Sequence, residues 1–341
     1  MAVFDRKFYN DMAWGAYKDY LVREKPSKLL LSGSVVGNSE VRTALSNQTG
    51  SGAVTLPFYS DGTESTTTQP YDGVTDIVPD TVTTYMQTFG TMGKAKAWTE
   101  TDFSIDLTTA EGVNAVYRRL SNWQRFVVEQ PLVLNIIKGL FAPNAGQTQK
   151  TDFIDNHTTA VTAMTPVALN NALEKATGDY KDQLTLFICH SQIATQLENL
   201  QMLDYVKYTT PSGIATDTTL RMWNGRIVMV DNTVNAGVTA GSYVGFALGL
   251  GMITLQNLGV RVPIETARDP YKKGGQDALI TRERYAFGAK GFSFEPATPK
   301  TNYVDADLTN GANWKLVNDG NSNFMPHKEI PLAKITYTPT P

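Results

Sequence analysis

Cys189 and His190 form the one adjacent pair whose side chains could supply a nucleophile and its base. Neighbouring side chains of a strand point to opposite faces, so adjacency in sequence argues against contact. The plainer reading is a buried small thiol and an imidazole at a strand end, with a cysteine hydrolase as a remote alternative. His157 and His327 fall far apart in different predicted elements, and a single cysteine leaves no Cys-x-x-Cys spacing, so no metal site is expected. Gly245 to Gly251 (GFALGLG) has the glycine density of a phosphate-cradling loop. No Gly-Lys-Ser/Thr and no capped helix follows it, so these are turn glycines between strands. No catalytic, cofactor-binding or metal residue is assigned, and an enzyme is not expected.

The remaining candidates are residues of contact. Arg118, Arg119 and Arg125 share a long predicted helix, where they could meet phosphates; a solvated face or an intersubunit ion pair is the simpler role. Arg282, Glu283 and Arg284 alternate in sign along a predicted strand, which suits pairing across an edge or a subunit boundary, or plain surface charge. Phe58, Tyr59, Tyr71 and Tyr85 are rings in polar, extended sequence, and would stay wet unless they docked on something.

Thirty basic against thirty-three acidic residues give a formal charge of -3 over 341 residues. That excludes the broad positive field of a nonspecific nucleic-acid binder. Charges through Met1 to Tyr20 break any signal-peptide core, so secretion is not expected. Tyr243 to Leu258 is uncharged but interrupted by glycines and polar residues, and falls short of the roughly twenty residues of a spanning helix.

These residues are positioned by elements of changing period. The first fifty residues mix aromatic anchors with polar stretches, as an arm does. Ala53 to Ser104 reads as extended, with Val54, Leu56 and Phe58 alternating; Ser60 to Asp76, nearly free of large aliphatics, reads as a projecting hairpin. Thr108 and Glu111 make a capping-box pattern, and Val113, Val116, Leu120, Trp123 and Val127 follow at helical spacing. Pro131 should kink that helix or end and restart it into Leu132 to Leu140. From Asp152 helix-like and strand-like segments alternate, predicting an α/β lobe. Thr165 and Pro166 open a helix to Thr177, Ser191 caps a second, and Asn224-Gly225 marks a two-residue hairpin. Val260 to Ile264 and Ala278 to Phe287 read as a second strand pair around a charged turn, and Ala297 to Pro341 as an extended tail with a short strand.

This order resembles the major capsid protein of tailed bacteriophages, the Hong Kong 97 (Johnson) fold. The resemblance rests on Ala115 to Ala142 (AVYRRLSNWQRFVVEQPLVLNIIKGLFA), Leu184 to Leu200 (LTLFICHSQIATQLENL), Trp223 to Asp231 (WNGRIVMVD), Asp277 to Phe287 (DALITRERYAF) and Asn310 to Trp314 (NGANW). It implies an α+β chain divided into an N-terminal arm (1-52), an extended loop lying on the adjacent subunit (53-104), and a spine helix with peripheral domain (105-151). An axial α/β domain (152-258), peripheral return strands (259-296) and a C-terminal tail (297-341) complete it. It further implies homo-hexamers and homo-pentamers in an icosahedral virion capsid, assembled in the host bacterial cytoplasm without a membrane. A separate scaffolding protein, a portal protein at one vertex, and packaged double-stranded DNA held without sequence-specific contact would be the partners. The shell of an encapsulin-type bacterial compartment is the alternative on the same fold.

Overall fold

The computed structural model describes residues 35–46, 52–59, 68–74, 76, 84–108, 120–209, 215–235, 238–319 and 323–339. Residue contacts divide the described chain into two units, one drawn from within Gly93–Val133 and Asn257–Tyr285, the other from within Leu30–Met92, Leu134–Gln256 and Ala286–Pro341. The strands Thr84–Thr101 and Gln276–Ala289 each contribute residues to both.

The larger unit contains a seven-stranded sheet in the order Thr158–Val161, Leu332–Tyr337, Tyr243–Gly249, Leu184–Cys189, Arg226–Val230, Ala215–Trp223, Asp204–Thr209. The helices Pro166–Thr177 and Ser191–Asn199 cover one face, burying Leu169, Leu173, Ile193 and Leu197 against Phe187, Trp223, Ala333 and Ile335. Local sequence dictates these elements as expected in two places. Thr165 Oγ1 accepts from Ala168 N at 3.1 Å ahead of Pro166, which needs no donor in the first turn. Asn224 and Gly225 both take positive φ, 46° and 76°, in the hairpin joining Ala215–Trp223 to Arg226–Val230. The second helix is capped one residue earlier than expected: His190 Nδ1, and not Ser191, accepts from Gln192 N at 3.1 Å.

The C-terminal segment, expected as an extended tail with a short strand, contains the strand Leu332–Tyr337. It lies inside the seven-stranded sheet, parallel to Thr158–Val161 and antiparallel to Tyr243–Gly249. Its run of six residues is short, and Lys334 interrupts the apolar pattern, so it reads weakly from sequence alone.

Another part of the same unit explains Asn310 to Trp314. Trp314 is fully buried, donates from Nε1 to Leu308 O at 2.8 Å, and packs against Phe294 and Phe287. A Cβ on Gly139, at the end of helix Gln130–Leu140, would sit 1.9 Å from Leu308 O, and one on Gly311 would sit 2.3 Å from Ala142 O. Only glycine lets these two backbones approach. Lys150 is wholly buried and spans them, donating to Gly139 O at 3.0 Å and Gly311 O at 2.8 Å. Burial lowers its ammonium pKa to about 7, since water no longer solvates the charge.

The long helix differs from its sequence pattern. A short helix spans Asp102–Thr108; Glu111, Val113, Val116, Arg118 and Arg119 lie outside the described residues, and with them the capping-box pattern expected from Thr108 and Glu111. From Leu120 the run continues to Leu140, but Gln124–Glu129 winds as a π-helix directly before Pro131. Proline removes one amide donor and crowds the carbonyl four residues back, and a widened turn accommodates both without breaking the helix. The wider turn also rotates the following residues. Val128 is buried and Val127 exposed, the reverse of the helical spacing.

In the smaller unit, Ile264–Asp269 pairs antiparallel with Gln276 to Thr281, from Asp269↔Gln276 to Ile264↔Thr281; an antiparallel pair was expected, but the first strand starts at the end of the alternating run Val260 to Ile264 and reaches into the expected turn. Arg268 closes the turn by gripping Asp102 at 2.6 Å and Asp277 at 2.9 Å, and Asp102 N donates to Gly275 O. Trp98 meets Trp123 edge-on at 4.9 Å between ring centroids. The chain is thus an α+β protein.

Candidate assembly surfaces

Ala53–Tyr59 and Thr84–Gly90 form an antiparallel hairpin stem with Tyr59↔Thr84, Pro57↔Met86 and Thr55↔Thr88 as facing pairs. Strand alternation sorts its side chains. On the inner face, Phe58 stacks on Tyr85 at 5.4 Å, and Tyr85 is only 3% exposed. Tyr85 and Phe58 therefore belong to this chain's own packing, and Tyr85 has no surface left for a neighbour. On the outer face Tyr59 is 71% exposed and Met86 62% exposed, bracketing Pro57. Tyr71 follows at 96% exposed with Val74 also exposed; Ser60 to Thr67 lie outside the described residues. A strip of Pro, Met and Tyr on a two-stranded stem gains by being covered, at roughly 25 cal/mol for each Å² of apolar surface removed from water. Met86 is not an aromatic anchor and carries no signal of its own in the sequence; its place opposite Pro57 appears only with the register.

The second candidate surface belongs to the smaller unit. Five of the six residues of Ile264–Asp269 are exposed, and Tyr271 in the adjoining turn is 95% exposed. The sequence marked that turn as charged and overlooked its ring. Two of the alternating charges nearby, Arg282 and Glu283, are already engaged within the unit. Arg282 pairs with Glu265 at 2.9 Å, and the Arg284 carbonyl accepts from Leu258 N. Glu283 accepts from the buried Tyr285 hydroxyl at 2.7 Å, while Gln124 Nε2 donates to that hydroxyl at 2.9 Å. Burial raises the Glu283 carboxyl pKa, the hydrogen bonds opposing it. Glu283 thus acts first as an internal brace between the Gln276–Ala289 strand and the π-helical turn. Arg125 lies in that turn, and Arg118 and Arg119 fall outside the described residues.

The histidines require a correction. His157 and His327, expected far apart, meet with Nε2 to Nδ1 at 3.2 Å, because the C-terminal chain returns beside helix Thr148–His157 to enter the sheet. His157 Nδ1 is hydrogen-bonded to the Leu332 carbonyl, so that nitrogen carries the proton and Nε2 accepts from His327. The ring also stacks on Phe153 at 4.2 Å. Burial drives the His157 pKa down to about 4, with the Leu332 bond opposing and His327 adding a smaller push down. Because the folded value lies below the ordinary 6.5, the unfolded chain binds more protons between them. Stability from this group is complete above pH 6.5 and lost as pH falls through about 4, a span worth about 3 kcal/mol. Denaturant melts from pH 7 to 4 should therefore show a loss of about that size, much reduced in His157→Gln.

Cys189 is fully buried, and burial pushes its thiol pKa up to about 12. A thiol held protonated is neither a ready nucleophile nor a ligand. His190 is occupied as the helix cap and stacks on Tyr243 at 4.7 Å. The pair therefore has the features of structure, with no thiolate prepared beside a base. Among the described residues no helix is long and apolar enough to cross a membrane.

No protein-family model matches the sequence, and no curated protein matches it significantly. Solved structures do match over nearly the full length. The capsid of Ralstonia phage GP4 aligns with TM-score 0.54 at 10% identity, covering 94% of this chain and 95% of that one. The capsid asymmetric unit of cyanophage Pam1 aligns with TM-score 0.52 at 10% identity, covering 99% of both. The acidic stable capsid of Helicobacter pylori bacteriophage KHP30 aligns with TM-score 0.51 at 9% identity, covering 96% and 98%. Identity this low leaves the likeness to the backbone, and the backbone of this chain is the Hong Kong 97-like fold of phage capsid proteins.

Proposed function

We propose that the protein is the major capsid protein of a tailed phage, a non-enzymatic subunit that builds the closed head. The observation carrying this reading is the exposed Pro57, Tyr59 and Met86 face of the hairpin stem, on a chain whose fold is shared end to end with phage capsid proteins. In the shell, that stem and the loop beyond it lie on the adjacent subunit. Each such contact is modest. In a closed ring each bond holds the next pair at high effective concentration, so repetition stabilises the whole.

On this reading copies associate as homo-hexamers and homo-pentamers of an icosahedral virion capsid, assembled in the host cytoplasm. A separate scaffolding protein guides assembly, a portal protein occupies one vertex, and double-stranded DNA fills the interior without sequence-specific contact. A formal charge of -3 supplies no broad attraction to phosphate, so any contact with that DNA is local and weak. Of the residues marked from sequence, Tyr59, Tyr71 and Arg282 remain intersubunit candidates on their exposure; Arg118, Arg119, Arg125 and Arg284 are carried as such on sequence alone.

Deleting Ser60–Asp76 is expected to leave a folded subunit that no longer closes shells, read by sedimentation and electron microscopy. Normal shells from that deletion would remove the role of the loop. Shells from the intact chain that copurify with an enzyme cargo and no DNA would move the assignment to an encapsulin-type compartment.

A further inference from the structure

The smaller unit carries two exposed rings on elements joined by one ion-pair clamp. Arg268 binds Asp277 across its own hairpin and Asp102, the first residue of helix Asp102–Thr108, so helix start and hairpin tip are held together. The tip is also fixed from within. Asp102 N donates to Gly275 O, Gly275 N to Lys272 O and Tyr271 N to Asp269 Oδ1, while Lys273, Gly274 and Gly275 all take positive φ. From this tip Tyr271 projects almost wholly exposed, with Lys273 exposed beside it. On the helix Phe103 is 71% exposed, and Asp106, three residues on, is exposed on the same face. Lys272 pairs with Asp269, but neither Lys273 nor Asp106 has a hydrogen-bond or ion-pair partner among the described residues.

A single exposed ring is ordinary on a protein surface. Here each ring stands beside an unpaired charge, and the two charges are of opposite sign. The patches are thus complementary, yet one chain leaves the pairing unmade. We infer that Tyr271 and Lys273 of one copy dock on Phe103 and Asp106 of a second copy, ring against ring and ammonium to carboxylate. The choice of a second copy rests on the capsid reading, under which the chain's most abundant partner is itself. Because the two partners use different patches, the contact is head-to-tail and repeats around a ring. A tip already held by the Arg268 clamp and its own hydrogen bonds loses little freedom on docking, which favours the bound state. Duplex DNA fits less well. It would engage Lys273 while bringing phosphates towards Asp106 and leaving Phe103 without an apolar counterpart.

The test mixes full-length Tyr271→Cys with full-length Phe103→Cys under mild oxidation and reads disulfide-linked dimers on a non-reducing gel. Cys189 is buried and takes no part. The mixture should give far more linked dimer than either variant alone. Lys273→Asp and Asp106→Lys should each weaken association at least about tenfold in sedimentation, and both changes in one chain should restore it, because the pair is re-formed with its signs exchanged. No mixed dimer, or reversals that leave association unchanged, would overturn the inference even where shells form normally. The capsid reading would then stand, and the tip would be left for a separate protein. Unaltered chains that form no shell would instead remove the capsid reading, and the mixed dimer, present or absent in concentrated solution, would still decide the contact.

Discussion

Gly139→Ala is expected to be among the most damaging single-methyl changes available to this chain. The new Cβ would lie 1.9 Å from Leu308 O and 2.6 Å from Trp314 Nε1. The first is backbone and cannot rotate away. The second donates to that same Leu308 O, so relieving one clash disturbs the other. Helix propensity favours alanine over glycine by about 1 kcal/mol at an interior position, which sets a baseline of mild stabilisation. Overpacking of a closed core typically costs about 1–3 kcal/mol, and here the segment around Leu308 must also shift against Lys150 and its two carbonyls. The net expectation is a loss of at least about 2 kcal/mol in denaturant melts. A neutral or stabilised Gly139→Ala would mean that the helix end and the Leu308 to Trp314 segment are not packed as described.

Tyr59→Asp combined with Met86→Asp has the opposite profile. Both side chains are mostly exposed in the single chain, so the melting curve should move little, within about 0.5 kcal/mol for such surface changes. If the outer face of the stem is covered by a neighbour, each contact would bury an unpaired carboxylate, at a cost of several kcal/mol repeated around every ring. Folded subunits that fail to form rings or shells are therefore expected, read by sedimentation beside the melts. Tyr85→Asp is the useful contrast. Tyr85 is buried under Phe58, so that substitution should reduce folding stability before assembly is tested.

The parts legible in the sequence were those specified by neighbours in the chain. Thr165-Pro166 carries its own cap and first turn, and Asn224-Gly225 its own pair of positive φ values. What escaped depends on segments distant in sequence. Leu332–Tyr337 becomes a strand through Thr158–Val161 and Tyr243–Gly249, and the same return brings His327 to His157. The π-helical turn before Pro131 was half visible: proline announced a disturbance, but whether the helix breaks or widens depends on packing beyond the helix itself. That choice moved Val127 to the surface. Among the candidate contact residues, Tyr59 and Tyr71 were marked by type and setting, and both are exposed. Tyr85 could not be separated from them until the register put it on the inner face. Glu283 read as edge pairing or surface charge because Gln124, which donates to the Tyr285 hydroxyl that Glu283 holds, lies on another element.

The central claim is assembly, and negative-stain electron microscopy of the purified, concentrated full-length protein tests it most directly. Closed shells, or the rings and tubes that incomplete closure leaves, are the expected result. A population that stays strictly monomeric at every concentration, with and without host-cell extract, would contradict the assignment.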